Sequence, residues 1–301
     1  MKKIIRPTVI AITVILIIVS IILLSTANTL SKRFSQKYNP NTATIKIPKD
    51  SVSLNRGKML ATAVCTVCHS GDYSGLEFSI PKIGTIYTNN ITPGGVTKRF
   101  SDKQWINVIR YGVKEDSTAV FIMPSHDDYN TMSDNDLGCI IAYLRTVKAS
   151  DVKWPRNIDA LTFYGKVCLQ RGQLGSSIFS AEKINMNDNT PRSSPEYKVT
   201  AAYGNYLVTL SDCKYCHGPH LNGAIDTGTG APPAPNITLG GNLKRWTEKQ
   251  FVQTIRSGIT PEGKHLSVYM PWPNIAAYND TALEAIYAYL KSQPALKDSK
   301  Q

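Results

Sequence analysis

The pentapeptide "CTVCH" at residues 65–69 returns as "CKYCH" at 213–217, and it does not return alone. "NNITPGG" from Asn89 is answered by "PNITLGG" from Pro235, with the shared Asn-Ile-Thr core 146 residues apart. "KRFSDKQWINVIRYGV" from Lys98 and "KRWTEKQFVQTIRSGI" from Lys244 repeat at the same separation. "FIMPSHDDYN" faces "VYMPWPNIAAYN", which sets Met123 against Met270, and "AYLRTV" from Ala142 parallels "AYLKSQ" from Ala288. One motif order at a near-constant offset means a duplicated domain, so the chain must build one small fold twice. The copies are expected over 52–148 and 198–296. They are preceded by an N-terminal segment (1–30) and a linker (31–51), separated by a second linker (149–197), and followed by a short tail (297–301).

The local patterns are helical. "SLNRGKMLATAVC" and "TAAYGNYLVTLSDC" place apolar residues at helical intervals and deliver the first cysteine of each pair at a helix end. "SDKQ" and "TEKQ" have the capping-box spacing, Ser or Thr three positions before Gln. The helices they open stop at Gly112 and Gly258, where a left-handed cap is easiest. Leu137, Ile140, Ile141 and Leu144, and likewise Leu283, Ile286, Tyr287 and Leu290, mark last helices with one buried face. No alternating strand pattern of useful length is present, so both domains are expected to be all-α. The polar stretch "NMNDNTPRSSPEYK" reads as linker draped on the surface.

Cys-x-x-Cys-His is the attachment signature of a c-type haem. Cys65 and Cys68, and Cys213 and Cys216, would form the thioethers, with His69 and His217 as proximal ligands. Zinc would need two complete tetrahedra, and each copy lacks the extra ligands. A redox dithiol expects a βαβ context, which is absent. Met123 and Met270 are the expected sixth ligands: each precedes proline, which favours an extended backbone, and they sit equivalently in the repeat. Met132 and His126 have no partner in copy two, nor His220 and His265 in copy one, and the three histidines read as surface or outer residues. Histidine–methionine ligation raises the reduction potential and fills both axial positions, which favours electron transfer over catalysis. No catalytic residue is assigned.

"TVIAITVILIIVSIILL", Thr8 to Leu24, follows Lys2, Lys3 and Arg6 and reads as a retained single-pass anchor in preference to a cleaved signal peptide. The positive flank places the haem domains on the periplasmic side of the plasma membrane, although Lys32 and Arg33 weaken that asymmetry. The net charge of +12 comes without a basic helix or an aromatic-interleaved basic patch, which argues against nucleic acid. The paired Lys98-Arg99 and Lys244-Arg245 are either solvated surface or counter-charges for propionates or a partner. Trp105, Phe251, Trp246 and Phe100 read as core aromatics beside haem. Two cysteines remain, Cys139 and Cys168, whose even number in an exported protein invites a disulfide, with a buried free thiol as the alternative.

With these segments aligned, the chain resembles the multi-haem cytochrome c subunits of membrane-associated bacterial dehydrogenases. The resemblance covers about residues 52–296 and rests on the two haem motifs, "GTIYTNNITPGG", "WINVIRYGV" and "MPSHDDYNTMSDNDLGCIIAYLR", with their counterparts in copy two. It also implies His69 and His217 as proximal ligands, and Met123 and Met270 as distal ones. Members commonly carry three haem domains and take electrons from a catalytic subunit. This chain has two haem motifs and an N-terminal hydrophobic segment. The expectation is therefore a membrane-anchored protein with two covalent haem c groups. It would pass single electrons from a dehydrogenase or quinol-oxidising partner to a cytochrome or oxidase acceptor. A haem subunit of a terminal oxidase and a dihaem peroxidase are the alternatives. A haem-binding sensor would need a signalling domain, and no segment is left over for one.

Overall fold

Asp50 opens the first domain by accepting a hydrogen bond from the Ser53 amide, a side-chain cap that launches the helix Ser51–Val64. Thr200 does the same for Ala201–Leu210 by accepting from the Tyr203 amide. These caps sit in a computed structural model that describes residues 2–175, 177–223 and 232–299. In chain order the helices are α1 (Lys2–Ser35), α2 (Ser51–Val64), α3 (Thr66–His69), α4 (Asp102–Tyr111), α5 (Asp134–Leu144), α6 (Asn157–Ala160) and α7 (Phe163–Gln170). The second domain follows with α8 (Ala201–Leu210), α9 (Cys213–His217), α10 (Glu248–Ser257), α11 (Trp272–Ile275) and α12 (Asp280–Ser292).

The duplication is visible atom by atom. α2 crosses α5 at Gly57, where a Cβ would stand 2.0 Å from the Cys139 carbonyl oxygen; α8 crosses α12 at Gly204, 1.9 Å from that of Ala285. Only glycine lets the two backbones approach so closely. Ser101 and Thr247 form full capping boxes with Gln104 and Gln250, and Gly112 and Gly258 close their helices at φ 64° and 70°. Arg110 binds Asp134 and Arg256 binds Asp280, each at 2.7 Å, so the middle helix is tied to the start of the last one in both copies.

Several segments depart from the sequence expectation. Glu77–Ile80 (β1) and Gly84–Tyr87 (β2) pair as an antiparallel hairpin inside the otherwise helical first domain. α1 continues to Ser35, past the boundary at residue 30, and the linker after it is not free: Tyr38 and Ile45 are buried, and Tyr38 N–H donates to the Ser117 carbonyl. Residues 149–197 contain α6 and α7, and Ile178 and Phe179 are buried against domain one, although 185–198 stays at the surface as expected. Cys139 in α5 and Cys168 in α7 are separate buried thiols, not a disulfide.

The domains meet through α2, α5 and α8. Arg56 makes two bonds of 2.9 Å to the fully buried Asp136 and donates to Tyr203 Oη at 2.6 Å. Its guanidinium lies 3.9 Å from the centre of the Tyr197 ring. Tyr197 and Tyr206 hydroxyls donate to the same carboxylate, at 2.9 and 2.8 Å. Every oxygen lone pair that matters on Asp136 is thus occupied, the condition under which a buried ion pair is tolerated. Burial alone would lower the Arg56 pKa, but Asp136 outweighs it and holds the guanidinium charged.

Candidate functional site

Helix ends carry the predicted attachment residues. Cys65 is the C-cap of α2, and Cys68 and His69 fall in α3; Cys213, Cys216 and His217 all lie in α9. His69 Nδ1 lies 2.8 Å from the Asn89 carbonyl oxygen and His217 Nδ1 lies 2.7 Å from that of Pro235. A carbonyl can only accept, so Nδ1 carries the proton in both copies and the Nε2 lone pair is left available. That is the tautomer a metal-ligating imidazole needs, oriented by a backbone acceptor. Burial pushes both imidazoles below their ordinary pKa, against the opposing carbonyl bond, so both are neutral at pH 7.

The thiols are held protonated. Burial pushes Cys65 up to about 12 and Cys68 to about 11, with Cys68 and Asp212 respectively adding to the shift. Cys213 is pushed to about 12 by burial and by Asp212, and Cys216 is raised by the same causes. A reactive dithiol shows the opposite displacement. Among the described residues no group of three or more His, Cys, Asp or Glu side chains converges on a metal position.

A cavity of about 1130 Å³ opens beside the first motif. Cys65, Cys68 and His69 stand on its lining together with Met123 and the fully buried Met132. Trp105, Ile109 and Ile140 supply apolar wall. The volume exceeds that of an ordinary small-molecule pocket, which spans about 300–1,000 Å³. An apolar chamber with an imidazole and a thiol pair on its lining and a thioether beside them fits a covalently held macrocycle. The same chamber reaches Asp212, Tyr215, Cys216 and Pro271 of the second domain, so the two motifs share a wall. Asn274 Nδ2 donates to Thr66 Oγ1 at 2.6 Å, which pins the segment after Met270 to the first motif.

Part of this site was invisible in the sequence. Trp154, Ile158, Leu174 and Ser177 of the expected linker line the chamber, and so does Phe34 at the end of α1. Met123 is fixed from that side: its amide donates to the Ser177 carbonyl at 2.9 Å and its carbonyl accepts from Ser180 Oγ at 2.5 Å. Trp154 Nε1 donates to the Ser74 carbonyl, and its ring stacks on Tyr87. No repeat partner signals any of these residues. Buried Asp128 and half-buried Asp212 also face one another across the domain boundary, each raised in pKa chiefly by burial, with Asp127 adding to both and Lys214 opposing at Asp128.

The remaining expectations divide. His220 and His265 are exposed, and half-buried His126 faces Asp127 at 2.6 Å. Lys98, Arg99, Lys244 and Arg245 are at the surface. Trp105 and Phe251 are buried core aromatics, and Phe100 meets Trp105 edge-on. Trp246 is half-buried and gives its N–H to Glu262.

Comparison with known families agrees with the duplicated geometry. Residues 52–144 match the family model described as cytochrome c oxidase, cbb3-type, subunit III, and residues 201–294 match that for cytochrome c. The chain is therefore a c-type cytochrome with two cytochrome c domains, mostly helical, a class built for electron transport on covalently bound haem c. Over both domains it is similar to the fructose dehydrogenase cytochrome subunit of Gluconobacter japonicus, with 27% identity over 286 residues. It is also similar to the alcohol dehydrogenase (quinone) cytochrome c subunit of Gluconobacter oxydans (strain 621H), with 26% identity over 291 residues. The gluconate 2-dehydrogenase cytochrome c subunit of Pantoea cypripedii shares 28% over 289 residues. These alignments take in 82–83% of this chain but 54–61% of the relatives, so the chain spans little more than half their length.

Proposed function

We propose that the chain carries two covalently attached haem c groups and relays single electrons through them. One would be held by Cys65, Cys68, His69 and Met123, the other by Cys213, Cys216, His217 and Met270. The observation that carries this reading is the pair of matched imidazoles, each with Nδ1 bound to a backbone carbonyl and Nε2 left as a ligand. When bound, the group supplies a one-electron iron couple. The protein orients it, keeps it in an apolar chamber, and fixes Met123 by two backbone bonds to the 177–180 segment. The shared wall supports passage from one site to the other within the chain.

The similarity to dehydrogenase cytochrome subunits favours a dehydrogenase or quinol-oxidising donor and a cytochrome or oxidase acceptor. The apolar helix of α1, Val9–Ser35, is long enough to cross a bilayer and supports a single-pass anchor, with the haem domains outside the plasma membrane. The match of the first domain to an oxidase subunit favours a second reading, a haem subunit of a terminal oxidase. Co-purification with a copper-containing catalytic subunit would select it.

The test is the intact mass of the exported protein together with its absorbance. Two added haems are expected, with a weak far-red sulfur-to-iron band that disappears in a Met123→Ala, Met270→Ala double variant. An unchanged band would move the sixth ligand of the first site to Met132, which shares the chamber. A protein without covalent haem would end the proposal.

A further inference from the structure

Resting on the reading of α1 as an anchor, we infer that α7 and the loop after it form a membrane-seating base, with the Phe163–Tyr164 face lying in the lipid headgroup layer beside α1. The large apolar residues of α1 from Val9 to Leu24 are all exposed, Leu24 most of all. Burial begins abruptly at Thr26 and recurs at Leu30, one face of the helix. The head of the protein therefore starts two residues, about 3 Å of helix rise, beyond the end of the apolar run.

The element met at that level is the end of α7. Thr26 Oγ1 donates to Gln170 Oε1 at 2.7 Å, and about two helical turns higher Arg33 donates to the Leu169 carbonyl at 2.7 Å. Arg33 is locked in turn by two bonds to Glu182, at 2.7 and 2.8 Å, and lies over the Phe179 ring. The angle between α1 and this corner is consequently fixed by side-chain bonds and not by a flexible linker. Whatever bilayer α1 crosses has its surface at Gln170.

The composition of α7 matches that position. Gly165, Cys168 and Leu169 point inward, whereas Phe163 and Tyr164 are more than half exposed and Arg171, just past the helix, is exposed too. Two bare aromatics with a basic residue at the far end are the residue types of a membrane interface, where amphipathic rings sit among headgroups and cations meet lipid phosphate. The occupant is the headgroup layer of the same bilayer, by continuity with the exposed span.

The test uses the full haem-loaded chain in nanodiscs of phosphatidylcholine and phosphatidylglycerol that contain a lipid with a photoactivatable diazirine near its headgroup. Adducts are mapped by peptide mass spectrometry. Labelling is expected on α1 and on peptides covering 163–174. A Phe163→Ser, Tyr164→Ser double variant should lose most of the second set and keep its haem absorbance and its α1 adducts. Adducts on α1 alone would overturn the inference and leave the anchor standing; that pattern is what a protein-docking role for α7 gives. A double variant labelled like the wild type would also overturn it. Adducts on neither segment would remove the anchor reading, and this inference with it.

Discussion

Phe121 and Val268 hold the same place in the two copies, two residues ahead of the Met-Pro pair, yet Phe121 is 8% exposed and Val268 93%. The difference comes from outside the repeat. In copy one the segment before Met123 is bridged at Ile122–Ile178 and covered by Phe34 and Phe179, whose rings contact Phe121 at 5.7 and 5.6 Å. In copy two Val268 and Tyr269 have no comparable cover among the described residues. On the methionine side the two copies of one ancestry have thus come to differ, covered in the first and exposed among the described residues in the second, although His217 is the more buried of the two imidazoles. Burial disfavours the more highly charged oxidised iron, so the copy covered on its methionine side is expected to have the higher potential.

Removing one site outright gives the largest effect. A Cys213→Ser, Cys216→Ser variant should lose one covalent haem in intact-mass analysis while the first remains. Loss of both would show that the copies do not mature independently. Next comes the joint between the domains. Arg56→Met leaves buried Asp136 without its cation and should cost about 3–5 kcal/mol in denaturant unfolding. A variant as stable as wild type would mean that the joint contributes nothing to holding the domains together.

Smaller, but more telling about the asymmetry, are the methionines. Met123→Ala and Met270→Ala should each lower a different midpoint by on the order of 0.1 V, within the roughly 0.8 V that axial ligands command. Spectroelectrochemical titration should show the upper midpoint moving in the first variant and the lower in the second. The reverse assignment would break the enclosure argument.

The last expectation concerns pH. Asp128 and Asp212 have pKa values raised above the ordinary 3.8, so the folded state keeps protons that the unfolded chain has released. Their contribution is full below that value and is lost as pH rises through the raised ones, so unfolding free energy should fall from about pH 4 upward. Asp128→Asn should flatten that slope, and an unaltered slope would assign it to other groups.

Much of the molecule was legible in one dimension because a repeat supplies its own control. The capping boxes at Ser101 and Thr247, the glycine stops at 112 and 258, and the last helices were all readable from spacing. The hairpin Glu77–Tyr87 was not, since its strands are only four residues long and β1 is mostly exposed, leaving no alternation to detect. The choice between a disulfide and buried free thiols at Cys139 and Cys168 stayed open in the sequence for a related reason: an even count says nothing about whether two side chains meet.

What the sequence determined by itself is local and chemical. Haem-motif cysteines follow helix ends, histidines follow cysteines, and capping residues lie within a few positions of the amides they bind, so short-range order was enough. Only the tertiary structure decided that the two motifs face one chamber, that Arg56 and Asp136 join the domains, and that residues outside the repeat cover the methionine segment of one copy but not, among the described residues, that of the other. Those outcomes depend on contacts between segments up to some two hundred residues apart, as with Thr66 and Asn274, and chain spacing carries no record of them.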